Sequence, residues 1–482
     1  MKTRTLFFSF LLTGLLSIFA VTESAANNVQ ITGTSVSGSN ITFNIAWDNS
    51  WNANVAPANW DAVWVFVKFQ DCNTRLWAHA NLSTVAGDHS AASPLMVETV
   101  TDGKGVFIRR SALGGGNVGN TQITLKMNIG AGTFNYKVFG IEMVNVPQAA
   151  FELGDGVSSG TFNSITINAA SQSTGLTSSV LGGGAVAAPA TFPMGYNSFY
   201  CMKYEISQLQ YVEFLNALTY DQQKAHTFND PISAAGTYAM YNGFGYRNGV
   251  RIQTPGNNAA IPAIYACDAT AGVEGNSDDG QGIAMNGLNW GDLIAYLDWA
   301  ALRPMTELEY EKVSRGTMPR VAGEYAWGSI DLANVASNAL TNQYLENEYM
   351  TPAANGRCTL GVGTTSSIYG SVRVGAFATG TSGRASSGAA YYGAMEMTGN
   401  VWERVVCLSS AAGSAFNGTL GDGTITANGD ANQNTWPTAA AATGSGQRGG
   451  GWIDGVAAGR LSQRNTGVDA ARYPTYGGRG VR

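Results

Sequence analysis

From Ile41 to Trp47 the chain reads ITFNIAW, large apolar residues alternating with small or polar ones. This is the period-two pattern of a strand with one buried face. Ala62 to Phe69, AVWVFVKF, is almost unbroken and rich in β-branched and aromatic residues, which predicts a strand buried on both faces. Asp102-Gly103 and the GAGT starting at Gly130 supply turn chemistry between such runs. The spacing predicts an all-β sandwich over residues 27–137. No reactive constellation lies in it: His79 and His89 stand among polar neighbours and read as solvated loop residues.

Near Val138 the pattern changes and helical stripes appear. Ser207 and Gln210 have capping-box spacing, followed by Tyr211, Phe214, Leu215 and Leu218 on one stripe. Asn289 is placed to cap a helix whose stripe is Leu293, Tyr296, Leu297 and Ala300. Thr306 and Glu309 form another box, and Glu311 precedes Arg315 by one favourable helical spacing. Tyr310 and Val313 share a buried face, so structure alone accounts for most of this stretch, and its glutamates are not read as catalytic acids. The Gly/Ala/Ser/Thr-rich tracts 158–193 and 408–447 read as surface insertions. Glu274, Asp278 and Asp279 match no EF-hand spacing and read as a solvated, turn-rich loop. The fold class expected is α+β: a β-sandwich, then a loop-rich domain over 138–482.

Composition adds the compartment. Only 12% of the 482 residues are charged and 61 are glycine, which suits a turn-rich extracellular protein. The net charge of -6 gives no support to nucleic-acid binding. Lys2 and Arg4, the apolar run Leu6 to Val21 and the small residues Ser24-Ala25-Ala26 predict a cleaved signal peptide over residues 1–26. No later stretch is long and apolar enough to span a bilayer. A secreted or cell-surface protein is expected. Five cysteines forbid complete internal pairing, and no zinc-type spacing occurs. No disulfide is assigned.

Several motifs then occur in order: VFGIEMVNVPQAAFELGDG from Val138, RPMTELEYEKVSRG from Arg303 to Gly316, and EYAWGS from Glu324 to Ser329. GAMEMTGNVWER follows from Gly393 to Arg404, then QRGGGW from Gln447 to Trp452, and GRGVR closes the chain. Together they resemble the formylglycine-generating enzyme (sulfatase-modifying factor) family. The resemblance implies a C-type-lectin-related fold. It also implies a structural calcium held by the side chains of Glu396 and Glu403 and the carbonyls of Gly399 and Val401. The family usually carries Asp or Asn where Glu396 stands. A second implied calcium site would use Asn334 or Asn338, a choice left open.

Active relatives hold copper through two thiols, and the matching positions here are Asp454 and Gly459. A hard carboxylate and a residue without a side chain do not replace soft thiolates, so copper is not expected. The family's iron-dependent sulfoxide synthases need a histidine triad, and His79, His89 and His226 lack its spacing. The expectation is a secreted, non-catalytic binding or surface protein for an extracellular protein or glycan ligand. Its ligand face would be the C-terminal loops, roughly 452–477, with Trp452, Asp454, Arg460, Arg464 and Arg472. For any one of the three arginines, a structural ion pair is the reading preferred over groove lining. The alternatives are a sulfatase-maturing or other oxidoreductase, a subunit of a cell-surface assembly, and a retroelement-diversified variable protein.

Overall fold

The computed structural model describes residues 28–482 apart from 244, 259, 271, 335–339, 351–355 and 364–367. The expected leader, Asn338 and the side chain of Asn334 lie outside the described residues. Strands β1 (Gln30–Ser37), β2 (Asn40–Asn52), β5 (Ser90–Ala91) and β8 (Gly114–Lys126) form a sheet in the order β1-β2-β8-β5. An eight-stranded sheet contains β3 (Asp61–Asp71), β4 (Trp77–Ala80), β6 (Leu95–Thr99), β7 (Val106–Arg110) and β9 (Phe134–Val146). It continues through β12 (Phe199–Met202), β21 (Gly480–Val481) and β15 (Arg303–Pro304).

The alternation in β2 faces Ile41, Phe43, Ile45 and Trp47 onto Val63, Val65 and Val67 of β3. The other face of β3, Ala62, Trp64 and Phe66, enters a larger core built with residues from the C-terminal part. This explains why β3 is apolar on both sides. The Trp64 indole donates to Ala300 O at 2.9 Å, and the buried Lys68 ammonium donates to Trp299 O at 2.7 Å and Gly423 O at 2.6 Å. The break expected between residues 137 and 138 falls inside β9, which pairs with β3 along its length and with β12 at its end. The two parts therefore share one sheet through β9.

The remaining elements are short. β10 (Phe151–Leu153) pairs with β11 (Ile165–Ile167), β13 (Val250–Thr254) with β14 (Ile264–Cys267), and β16 (Ala333–Asn334) with β17 (Arg357–Cys358). β18 (Trp402–Val406) lies between β19 (Ser445–Arg448) and β20 (Tyr476–Gly477). The helices are α1 (Ala169–Thr174), α2 (Ser178–Leu181), α3 (Gln208–Leu215), α4 (Tyr220–His226), α5 (Trp290–Trp299), α6 (Glu307–Arg315) and α7 (Ala411–Ser414). Capping boxes start α3 at Ser207, α5 at Asn289 and α6 at Thr306. Each satisfies two backbone N–H groups that the first turn leaves open.

The tracts 158–193 and 408–447, read as surface insertions, are anchored in the main core by Phe162, Leu181, Phe192, Leu408, Phe416 and Trp436. One expectation is corrected. His79 and His89 are not solvated. His79 lies in β4, stacks on Phe66 and contacts Lys104 O at 2.7 Å. His89 accepts from Lys126 N at 3.2 Å, which leaves its other ring nitrogen to donate to Ser83 O at 2.8 Å. In the loop before α5, Asp279 is buried and holds the backbone N–H groups of Thr270 and Asn276.

Candidate functional site

β18 carries Glu403 into the interior beside Glu205 and Glu396, and all three carboxylates are buried. Glu205 follows β12 and accepts from Val401 N at 3.0 Å and from Asn400 Nδ2 at 2.5 Å, which fixes the turn before β18. Glu396 Oε1 accepts from Gly375 N at 2.9 Å. Glu403 Oε1 accepts from Arg479 Nε at 2.5 Å. The remaining N–H groups of Arg479 reach the carbonyls of Met202 at 3.2 Å, Lys203 at 3.1 Å and Met395 at 2.7 Å.

Charge is unbalanced here. Burial pushes Glu396 up to about 7 and Glu205 well above the ordinary glutamate value. Burial also raises Glu403, against the pull of Arg479. Glu396 Oε2 and Glu403 Oε2 are buried with no hydrogen-bond partner. Two spare carboxylate oxygens are the donor type that a hard divalent cation prefers. Among the described residues no group of three or more His, Cys, Asp or Glu converges as a metal cluster. A cation here would therefore draw on Glu396, Glu403 and main-chain oxygens.

The glutamates of α6 are all engaged. Glu309 binds Arg303 through two contacts, and Glu307 binds Arg464. Glu311 receives Arg315 at 2.9 Å, as its spacing predicts, and Arg448 at 2.7 Å. Arg315 also pairs with Glu324 at 2.6 Å. Such paired, buried charges hold loops to a scaffold, and breaking one leaves a buried charge without its partner.

The residues expected on the ligand face separate. Trp452 is buried, its indole donating to Pro474 O at 2.9 Å, with its ring against Tyr246 and Tyr369. Arg464 is buried on Glu307, and Arg472 is held by Asp292 at 2.7 Å. In all three the polar group is engaged within the protein by these contacts. Asp454 closes its own turn: Oδ2 accepts from Gly451 N at 2.9 Å, and its N–H donates to Gly451 O at 2.9 Å. Gly459 is walled in. A Cβ there would stand 2.4 Å from Leu360 Cδ1 and 3.0 Å from Thr398 Cγ2. The second position where active relatives carry a thiol has the flexible end of Leu360 against it. All five cysteines are unpaired, four of them buried.

Arg460 alone of the three arginines enters no ion pair among the described residues. It is half-buried beside Gly323 and Tyr325. Val157 reaches the same Gly323, the carbonyl of Val456 accepts from the same Tyr325, and both valines are exposed; Ile453 and Val321 are exposed too.

Residues 142–482 match the sulfatase-modifying factor enzyme 1-like domain. The chain belongs to that family. No curated protein matches. Among solved structures, PvdO from Pseudomonas aeruginosa is similar at 15% identity and a TM-score of 0.33, over 71% of this chain and 94% of that one. Treponema denticola variable protein 1 is similar at 13% identity and a TM-score of 0.30, over 71% of this chain and 95% of that one.

Within this sulfatase-modifying factor domain, Glu205, Arg479 and Leu360 are site residues that sequence reasoning missed. Glu205 acts on a turn 196 positions away, beyond any local pattern. Arg479 stands in the recognised closing motif, but its partner could not be read from spacing. Leu360 is an ordinary apolar residue in a turn-rich stretch and gives no signal at all.

Proposed function

We propose that the chain is a secreted, non-catalytic binding or surface protein that uses the sulfatase-modifying factor scaffold to present a ligand face. The observation that carries this reading is the closed geometry at the two expected thiol positions. Asp454 is folded onto its own turn, and Leu360 occupies the volume beside Gly459. A soft metal has no ligand pair there. Export rests on the leader pattern of residues 1–26.

The face that remains for a ligand is narrower than the whole C-terminal segment. It centres on Arg460 and the exposed Ile453, Val456, Val157 and Val321. A cation among apolar groups suits an extracellular protein or glycan carrying a carboxylate, since guanidinium recognises planar anions. Calcium is the cation proposed for Glu396 and Glu403 with the carbonyls of Gly399 and Val401, where it would neutralise surplus buried charge and stiffen the loop before β18.

An anaerobic titration of the purified protein with Cu(I), in competition with bicinchoninate, tests the reading. The expected result is no site able to withdraw copper from the chelator. Stoichiometric withdrawal would overturn it.

A further inference from the structure

A cleft of about 440 Å³ opens between β1, β9, the start of α3 and the turn at Gln281-Gly282. It lies on none of the loops discussed above. One wall, β1, precedes the family match, so the cleft exists only because the N-terminal sheets are fused to the family domain. Gly140 of β9 lies at this junction. A Cβ there would stand 3.0 Å from Val29 and 3.1 Å from Ile31, so glycine lets β1 lie close.

The lining is chemically mixed. Tyr136 and Ile31 are half-buried, and Leu209 is 42% exposed although its N–H is fixed to Gln281 O at 3.1 Å. An apolar side chain held outward by its own backbone contributes a standing surface to the cleft that Tyr136 also lines. Polar groups complete the walls. Lys137 and Glu213 pair at 3.2 Å and join β9 to α3 across the opening. Gln281 Oε1 is buried with no hydrogen-bond partner.

The charge balance selects the ligand. The lysine is neutralised by Glu213, and the guanidinium of Arg373 is engaged by the carbonyls of Glu348 and Val374. Glu346 adds an exposed carboxylate. No cation of the cleft is left over for an anionic ligand, while acceptors are in surplus and call for hydroxyl donors. An aromatic and an aliphatic side chain lining the same cleft as such acceptors match the apolar face and hydroxyl edge of a sugar. The volume falls in the lower part of the range for small-ligand sites, roughly 300–1,000 Å³.

We infer that this cleft is a second binding site, for a short neutral oligosaccharide. The inference is independent of the reading of the Arg460 face. Saturation-transfer NMR on the full chain, with maltotriose, cellotriose, chitotriose, mannotriose and trigalacturonate as probes, tests it. At least one neutral trisaccharide is expected to receive saturation, and trigalacturonate none. Tyr136→Ala and Glu213→Gln should each weaken that binding at least fivefold with unchanged circular dichroism, whereas Arg460→Ala should leave it intact. The inference is overturned if no neutral trisaccharide responds, if trigalacturonate is preferred, or if binding survives both cleft substitutions. It is equally overturned if the sugars are silent and an extended peptide occupies the cleft instead.

Discussion

Arg472 grips Asp292 through two contacts, Nε to Oδ2 and Nη2 to Oδ1, each 2.7 Å, although 180 positions separate them. Asp292 is also the capping-box partner of Asn289 and contacts His226 Nδ1 at 3.0 Å. A single carboxylate thus starts α5, receives the end of α4 and holds the C-terminal loop. The segment expected to vary as a ligand face is tied to the core near its C-terminal end.

Asp292→Ala should therefore be among the most damaging single changes. It strands Arg472 and His226 without their partner, and breaking a buried pair costs about 3–5 kcal/mol. Urea unfolding of the variant measures this. A loss below about 1 kcal/mol, the range of surface pairs, would contradict the anchoring role.

The same contact predicts a pH dependence. Burial alone would raise the Asp292 carboxyl, but Arg472 and then the His226 contact outweigh it and hold it below the ordinary aspartate value. A depressed carboxyl stabilises the fold above its unfolded value, about 3.9, and that contribution is lost as pH falls through the lower folded value. Unfolding free energy should fall more steeply below about pH 4 in the wild type than in Asp292→Asn. Parallel curves would contradict the assignment.

Restoring the thiols alone should not restore a copper site. In Asp454→Cys/Gly459→Cys the new side chain at 459 meets Leu360, and overpacking of this kind costs about 1–3 kcal/mol. Adding Leu360→Ala should recover part of that loss and allow Cu(I) to bind. Tight Cu(I) binding by the double variant without the Leu360 change would show that the site is not closed.

Calcium should raise the melting temperature of chelator-treated protein, since a ligand at a hundred times its Kd adds about 2.7 kcal/mol. Glu403→Gln should abolish the increment, because it removes one of the two spare carboxylate oxygens. A melting temperature indifferent to calcium in the wild type would remove the proposed site.

The family span should not fold well when cut free. A fragment of residues 142–482 severs β9 and uncovers the face that Ala62, Trp64 and Phe66 pack against. Each such large side chain contributes roughly 1.5–3 kcal/mol by burial. The fragment should melt well below the full chain or aggregate. A fragment as stable as the whole would mean that the shared core is dispensable.

Local order was legible in the sequence. The boxes at Ser207, Asn289 and Thr306, the Glu311–Arg315 pair and the alternation in β2 rest on contacts a few residues apart, and each forms as its spacing requires. Long-range closure was not. The run of β9 across the expected break depends on β3 and β12, and the anchoring of the low-complexity tracts depends on isolated residues such as Phe192 and Trp436. A single large apolar residue within a small-residue tract is the signal that could have shown those anchors. At the site, the motifs gave the positions of Glu396, Glu403, Asp454 and Gly459. They did not give the neighbours that decide their chemistry, because Arg479 and Leu360 arrive from distant turns.

The claim on which the account depends is that this scaffold has no oxidase chemistry left. Incubating the copper-supplied protein with a Cys-x-Pro-x-Arg peptide under oxygen, and weighing the peptide by mass spectrometry, tests it most directly. The account predicts unchanged peptide mass after prolonged incubation. Conversion of the cysteine to an aldehyde with repeated turnover would contradict it.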